Sequence, residues 1–137
     1  MHSILVKDYM SPEHYAVHCG VTVRTAVETM LRARVLGVPV VGDDKKLVGY
    51  VSEQDCIKEL LNDAMFCDES ASVASVMQTA VVSFDPEASV VEVAQSMLRH
   101  HHKNYPVVSN GKLIGVISRS MVLAALMDQE NACFKRK

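Results

Sequence analysis

A serine and an aspartate three residues apart, Ser52 and Asp55, are the residues of this chain best placed to do chemistry. They follow an apolar run, residues 47–51, and open a stretch with helical spacing, so a strand should end and a helix begin here. Free backbone amides and the helix dipole at such a start favour an anion, to which a serine hydroxyl can add a hydrogen bond. A carboxylate one turn further on can accept hydrogen bonds from both hydroxyls of a ribose.

The same pair has a second interpretation that needs no ligand. Ser52-x-x-Asp55 is also a shortened capping box, in which the two side chains satisfy backbone amides at the start of a helix. From the spacing alone, both interpretations remain open.

Histidines and cysteines are the other candidates for chemistry. Residues 100–102 are all histidine, but consecutive residues of a helix point in different directions, so we expect no metal site there. The cysteines form neither a CxxC pair nor a disulfide scaffold, which is typical of free thiols in a cytoplasmic protein. They are Cys19, Cys56, Cys67 and Cys133.

An internal repeat of about 67 residues determines which elements must position these side chains. The matching segments, first copy before second, are 30–32 and 97–99, 39–41 and 106–108, and 47–52 and 113–118. Each copy is predicted as strand, helix, strand, strand, helix, so the fold class is α/β (α+β) with two tandem β-α-β-β-α repeats. The predicted boundaries are repeat 1 at 1–65, a connector at 66–72, repeat 2 at 73–127 and a flexible, basic-ended tail at 128–137.

Local signals support this order of elements. Thr22 is a candidate N-cap for a helix that runs to about Val35 and ends at Gly37, and a second helix should span about 53–62. Asn110-Gly111 is a strong hairpin signal, because both positions tolerate a positive φ. The first and middle strands of each copy should lie parallel. Each half is too small for a core of its own, so we expect the two to pack with pseudo-twofold symmetry around a cleft.

Composition excludes several classes of function. The chain is 49% hydrophobic with a formal net charge of −2, which is typical of a globular protein without a nucleic-acid partner. No apolar run is long enough to span a membrane, and the N-terminus lacks a signal-peptide core, so we expect a cytoplasmic protein without a membrane partner. No nucleophile elbow, P-loop or paired-carboxylate motif is present, and we expect no enzyme activity.

The order and duplication of these motifs resemble the CBS-domain family, and the chain looks like a stand-alone CBS pair, or Bateman module. The resemblance covers residues 6–127 and rests on Met10 and Met77, on the helix followed by Val-Pro-Val-Val, and on Gly-x-x-Ser-x-x-Asp after the hairpin. It implies two clefts that commonly hold adenine nucleotides or S-adenosylmethionine, and dimerisation into a disc of four repeats.

The resemblance assigns roles to residues of the first copy. It implies that Ser52 contacts a phosphate and Asp55 the ribose. The adenine would rest on apolar strand residues, which could equally be ordinary core: Ala16, Val17, Val38 and Pro39.

The second copy departs from the family pattern. Met121 stands where the aspartate should be, and a thioether cannot pair with a ribose diol, which removes a contact worth roughly 1.5–3 kcal/mol. Ser118 and Arg119 could still hold a phosphate. In some family members, residues just before the strand proline reach phosphates, so Lys103, with His102 beside it, is a candidate clamp; the alternative is a solvated helix end. We therefore expect one competent site.

Three functions remain open on the sequence. The leading one is a regulatory module that binds AMP, ADP, ATP or S-adenosylmethionine, requires no other cofactor, and signals to an effector protein or to its own homodimer. The alternative is a ligand-free interaction and dimerisation module with a decayed nucleotide site, which the methionine at 121 favours. A metal or redox sensor built on the histidines or cysteines is the third.

Overall fold

The computed structural model describes residues 4–12, 15–66 and 70–135. The helices are α1 (Val6–Tyr9), α2 (Val23–Ala33), α3 (Glu53–Phe66), α4 (Val90–His100) and α5 (Arg119–Lys135). The strands are β1 (Val17–His18), β2 (Gly37–Val41), β3 (Leu47–Ser52), β4 (Asn104–Ser109) and β5 (Lys112–Ser118). None of the helices in this part of the chain is long and apolar enough to cross a membrane.

The chain forms two compact units that do not coincide with the two sequence repeats. The first unit contains residues 14–81 and 111–113, and the second contains residues 1–13, 82–110 and 114–137. The first residues of each repeat therefore belong to the unit built mainly from the other repeat. Of the predicted connector at 66–72, residues 67–69 lie outside the described residues.

The first unit is a three-stranded sheet in the order β1-β2-β3, with α2 and α3 packed together. β1 pairs with β2 in parallel, as predicted, and β2 pairs with β3 antiparallel. The predicted N-cap is present, since the Thr22 hydroxyl accepts a hydrogen bond from the Thr25 amide at 3.1 Å. Alternating residues of the strands join both helices in a core that includes Val23, Val38 and Val51.

The end of α2 corrects the prediction. The helix ends at Ala33, and Arg34 takes the left-handed conformation with φ of 58°, two residues before the expected end. Gly37 instead opens β2, where a Cβ would lie 2.6 Å from the hydroxyl of Tyr50. Glycine is a common residue just after a helix, which is why Gly37 was predicted to end α2. In the structure its missing side chain instead makes room for the ring of Tyr50.

The second unit contains the hairpin β4-β5 and the packed pair α4 and α5. Asn110 and Gly111 both have positive φ, 53° and 79°, which confirms the predicted turn. The expected first strand is reduced to one parallel bridge between Phe84 and Val107. α5 extends to Lys135, so residues 128–135, which were predicted as a flexible tail, are helical.

A short extended segment lines one edge of each unit's hairpin. Ser11 exchanges two backbone hydrogen bonds with Val116 of β5, at 2.9 and 3.0 Å, and Gln78 does the same with Tyr50 of β3, at 2.9 and 2.8 Å. A glycine of the hairpin allows this approach in each case. A Cβ on Gly115 would collide with the carbonyl oxygen of Ser11, and one on Gly49 would lie 2.9 Å from that of Gln78.

Replacement of Gly115 by alanine should therefore destabilise the fold. The obstacle is backbone and cannot rotate away, so we expect a loss of about 1–3 kcal/mol in the free energy of unfolding, measured in urea. Gly42→Ala is the control, because Gly42 has a φ of −94° and its nearest neighbour is a Val48 methyl at 3.3 Å. Equal unfolding free energies for the two variants would contradict this account of Gly115.

Candidate functional site

The candidate site lies where the last strand of the first unit runs into a helix. β3 ends at Ser52, which pairs with Gly37 of β2, and α3 begins at the next residue. The Glu53 amide donates to the Leu36 carbonyl at 2.9 Å, which fixes the start of α3 against β2. The strand end and helix start predicted for the Ser52 and Asp55 pair are confirmed.

The two side chains of this pair form a closed capping box. Ser52 donates to Asp55 Oδ2 twice, from its amide at 3.0 Å and from its hydroxyl at 2.9 Å. The Asp55 amide donates back to Ser52 Oγ at 3.3 Å. The interpretation that needs no ligand therefore describes an arrangement that is present.

The box uses only one of the two carboxylate oxygens. The three hydrogen bonds to the Asp55 carboxylate, from the Ser52 amide, the Ser52 hydroxyl and the Gln78 side chain, all end on Oδ2. Asp55 is half-buried at the start of α3. Capping and ribose binding can therefore coexist, because the cap occupies one oxygen and leaves the other for a hydroxyl donor.

Gln78 is a member of the site that the sequence analysis missed. Its side-chain amide nitrogen lies 3.5 Å from Asp55 Oδ2, and its backbone is held by the pairing with Tyr50. By sequence Gln78 belongs to the second repeat, next to Met77, the counterpart of Met10. The repeat marks this segment, but only the strand pairing shows that it reaches the first repeat's aspartate.

The proposed adenine contacts lie on the same sheet as this pair. Val17 and Val38 are buried at 6% and 0% exposure and belong to the unit's hydrophobic core. Pro39 is also buried, in register with Tyr50, and Ala16, directly before β1, is half-buried. Both valines are therefore ordinary core residues, whereas Ala16 retains a partly open surface.

The other predicted site residues lie in the second unit. Arg119 donates its amide to the Lys103 carbonyl at 3.0 Å, so these two basic residues meet at the start of α5. Ser118 Oγ lies 3.0 Å from Ser120 Oγ, and the ring centroid of His102 lies 5.3 Å from that of Tyr105. Lys103, Arg119 and His102 are exposed. This end of the unit combines cationic groups with two hydroxyls.

Met121 takes a different role from the aspartate it replaces. Its side chain packs, partly buried, against the hydrophobic core of the second unit.

Among the described residues, no group of three His, Cys, Asp or Glu side chains could hold a metal ion.

Comparison with known proteins agrees with this architecture. A family model of the CBS domain matches residues 6–62 and 73–128. The chain belongs to the CBS-domain family. The CBS domain-containing protein YhcV of Bacillus subtilis is 28% identical over 127 residues, 93% of this CBS pair and 89% of that protein.

Solved structures show the same fold. The structure of CBSX2 in complex with AMP has a TM-score of 0.80 and 26% identity to this CBS pair, and the match covers 93% of this chain and 98% of that one. A further structure of CBSX2, from Arabidopsis thaliana, matches with a TM-score of 0.82. The predicted mixed α/β class and the CBS pair are confirmed.

A longer relative contains a similar segment. The protein MJ1225 of Methanocaldococcus jannaschii is 29% identical over 113 residues, and the match spans 82% of this chain but 39% of that protein.

Cys56 lies directly beside the site but is chemically protected. It is 2% exposed, and burial, followed by the charge of Asp55, raises the pKa of its thiol to about 11. Since the folded-state pKa lies above the ordinary value near 9, the stability contributed by the neutral thiol is complete below pH 9 and is lost as pH rises towards 11.

We expect Cys56 to resist modification in the folded protein. At pH 8, Ellman's reagent should react rapidly with the exposed Cys133, and with Cys56 only as fast as the chain unfolds. Peptide mapping by mass spectrometry assigns each thiol, and Cys133→Ser should remove the rapid reaction of residue 133. Rapid labelling of Cys56 in the native protein would contradict the burial described here.

Proposed function

We propose that this CBS pair is a regulatory module that binds an adenosine-containing ligand at Ser52 and Asp55 and signals through a partner protein or its own oligomer. The observation that carries the proposal is the second carboxylate oxygen of Asp55, which the capping box leaves without a donor at a helix start. CBSX2, which shares the fold at 26% identity, was solved in complex with AMP.

Each part of the ligand has a counterpart in the first unit. The helix dipole at the start of α3 favours a phosphate, but the Ser52 hydroxyl must give up its hydrogen bond to Asp55 Oδ2 before it can donate to one. Asp55 Oδ1 accepts from the ribose hydroxyls, a charge-assisted contact. Ala16 offers partly open apolar surface for the adenine, beside the buried Val17, Val38 and Pro39.

Gln78 holds the carboxylate in the orientation that this contact requires. Its amide approaches the oxygen that the cap already uses, so it adds to the fixation of Oδ2 and does not compete for Oδ1. A ligand bound here would therefore contact an aspartate that both repeats position.

The second unit provides a phosphate site without a ribose acceptor. Lys103, Arg119 and Ser118, with His102 nearby, can hold a phosphate, but Met121 is an apolar group packed on the core. We therefore propose one complete adenosine site for each chain, with the ligand AMP, ADP, ATP or S-adenosylmethionine.

Thermal melting with each of the four ligands tests the site. A ligand at a hundred times its dissociation constant should add about 2.7 kcal/mol to the unfolding free energy. In Asp55→Ala the shift should vanish, and the variant should lose a further 0.5–2 kcal/mol, roughly, because the cap is removed. Ser89→Ala is the matched control, since Ser89 caps α4 by accepting from the Val91 amide, and this variant should keep the ligand shift.

The complementary variant is Met121→Asp. If a carboxylate at position 121 is what the second unit lacks, this variant should bind a second adenosine ligand there, more weakly than the first. Absence of a shift with all four ligands in the wild-type protein would contradict the adenosine-binding function.

A second function, dimerisation through exposed apolar helix faces, has its own observation. In the first unit Leu31 and Ile57 are 74% and 60% exposed and line a groove between α2 and α3. In the second unit Leu98 and Leu123 are 80% and 63% exposed on α4 and α5. Large apolar side chains grouped in this way are typical of interfaces. We propose that these faces form the homodimer.

Leu31→Lys should convert the dimer to a monomer, because an ammonium group buried in an apolar interface without a partner is costly. Sedimentation velocity measures the change. The control is Val82→Lys, at a valine 41% exposed outside the helices, which should leave the mass unchanged. A monomeric wild-type protein, or a dimeric Leu31→Lys variant with an intact fold, would contradict this interface.

A further inference from the structure

The C-terminal end of α2 carries a cationic hollow that the adenosine site does not use. It has a volume of about 270 Å³ and is lined by Tyr15, Thr29, Arg32, Ala33 and Arg34. None of these residues belongs to the group proposed to bind adenosine. The hollow therefore shares no lining residue with the proposed adenosine site, and it lies on the same unit, where Tyr15 directly precedes Ala16.

Two positive charges in this hollow form no salt bridge with any residue that the structure describes. The salt bridges among the described residues join Lys7 to Glu87, His18 to Asp43 and Arg24 to Glu28, and none includes the two arginines of the hollow. The described residues that line it include no acid. Both arginines are exposed, so their guanidinium groups can reach a ligand without disruption of an existing pair.

The backbone conformation of Arg34 determines where its side chain leaves the end of α2. Its φ of 58° and ψ of 45° lie in the left-handed region, where residues with a Cβ are strained and glycine is the usual choice. Left-handed caps are common at helix ends, and His101 has the same conformation after α4. At Arg34 this position carries one of the two guanidinium groups that line the hollow.

We propose that this hollow binds the phosphoryl group of a small phosphate ester through Arg32 and Arg34. Two guanidinium groups match the geometry of a phosphate, which each can bind in a bidentate manner. The Tyr15 hydroxyl can donate as well. The volume lies below the 300–1,000 Å³ typical of sites for drug-sized ligands, so it suits a phosphoryl group with a small carrier.

Phosphate titration followed by amide NMR at low ionic strength and constant chloride tests this site. Inorganic phosphate should shift the amides of residues 32–34 saturably, and Arg32→Gln or Arg34→Gln should weaken its affinity at least tenfold. Arg24→Gln is the matched control, because Arg24 lies on the same helix and pairs with Glu28 at 3.7 Å. Arg24→Gln and Asp55→Ala should both keep the wild-type affinity for phosphate.

Glycine variants separate this function from a merely structural role. Arg34→Gly should raise the melting temperature, because it relieves the strain, and should weaken phosphate binding. His101→Gly, at the corresponding left-handed position after α4 with φ of 59°, should also raise the melting temperature but leave phosphate binding unchanged. Wild-type phosphate affinity in Arg34→Gly would overturn the proposal.

A comparison of ligands identifies the carrier. Inorganic phosphate and ribose 5-phosphate should shift residues 32–34 with affinities that Asp55→Ala does not change. If only AMP shifts these amides, and only when Asp55 is present, the hollow serves the nucleotide site and the proposed independence is wrong. That result would leave the proposed adenosine function intact. If phosphate shifts the amides of residues 32–34 but AMP does not bind at Asp55, the adenosine function is contradicted and the phosphate site is not.

Discussion

The close approach of a backbone segment to a glycine in each hairpin is the constraint on which the rest of this structure depends. Gly49 and Gly115 lack the Cβ that would push the neighbouring segment away, so Gln78 and Ser11 can pair with the hairpin edges. Each of these segments opens one sequence repeat and completes the unit formed mainly by the other. A chain cut between the repeats would therefore remove an edge from both units.

The same exchange shapes the candidate site. β3 brings Ser52 to the start of α3, the helix brings Asp55 back to it, and the exchanged segment adds Gln78 to the occupied carboxylate oxygen. Three donor groups approach this one oxygen and fix the carboxylate. Such fixation lowers the entropy lost when a ligand binds, since the acceptor is already ordered.

Local signals made the central part of this site predictable from the sequence. A serine and an acid three residues apart after an apolar run predicted the junction of β3 and α3, and Asn110-Gly111 predicted the turn. The strand partner of Gln78 could not be predicted, because pairing between distant segments has no local signal. The end of α2 before Arg34 could not be predicted either. Glycine is the more common residue after a helix, so Gly37 indicated a later end, but Gly37 instead makes room for the ring of Tyr50.

The difference between the two units follows from what each side chain contacts. Asp55 stays half-buried because it must accept hydrogen bonds at the helix start, whereas Met121, in the corresponding place, packs on the core. A lost charge-assisted contact of roughly 1.5–3 kcal/mol corresponds to about a 10- to 150-fold weaker affinity for adenosine. At a concentration that half-fills the proposed first site, the second would be filled to less than about a tenth. Since a ligand shifts an equilibrium only through its different affinities for two states, the proposed signal depends on one adenosine ligand for each chain.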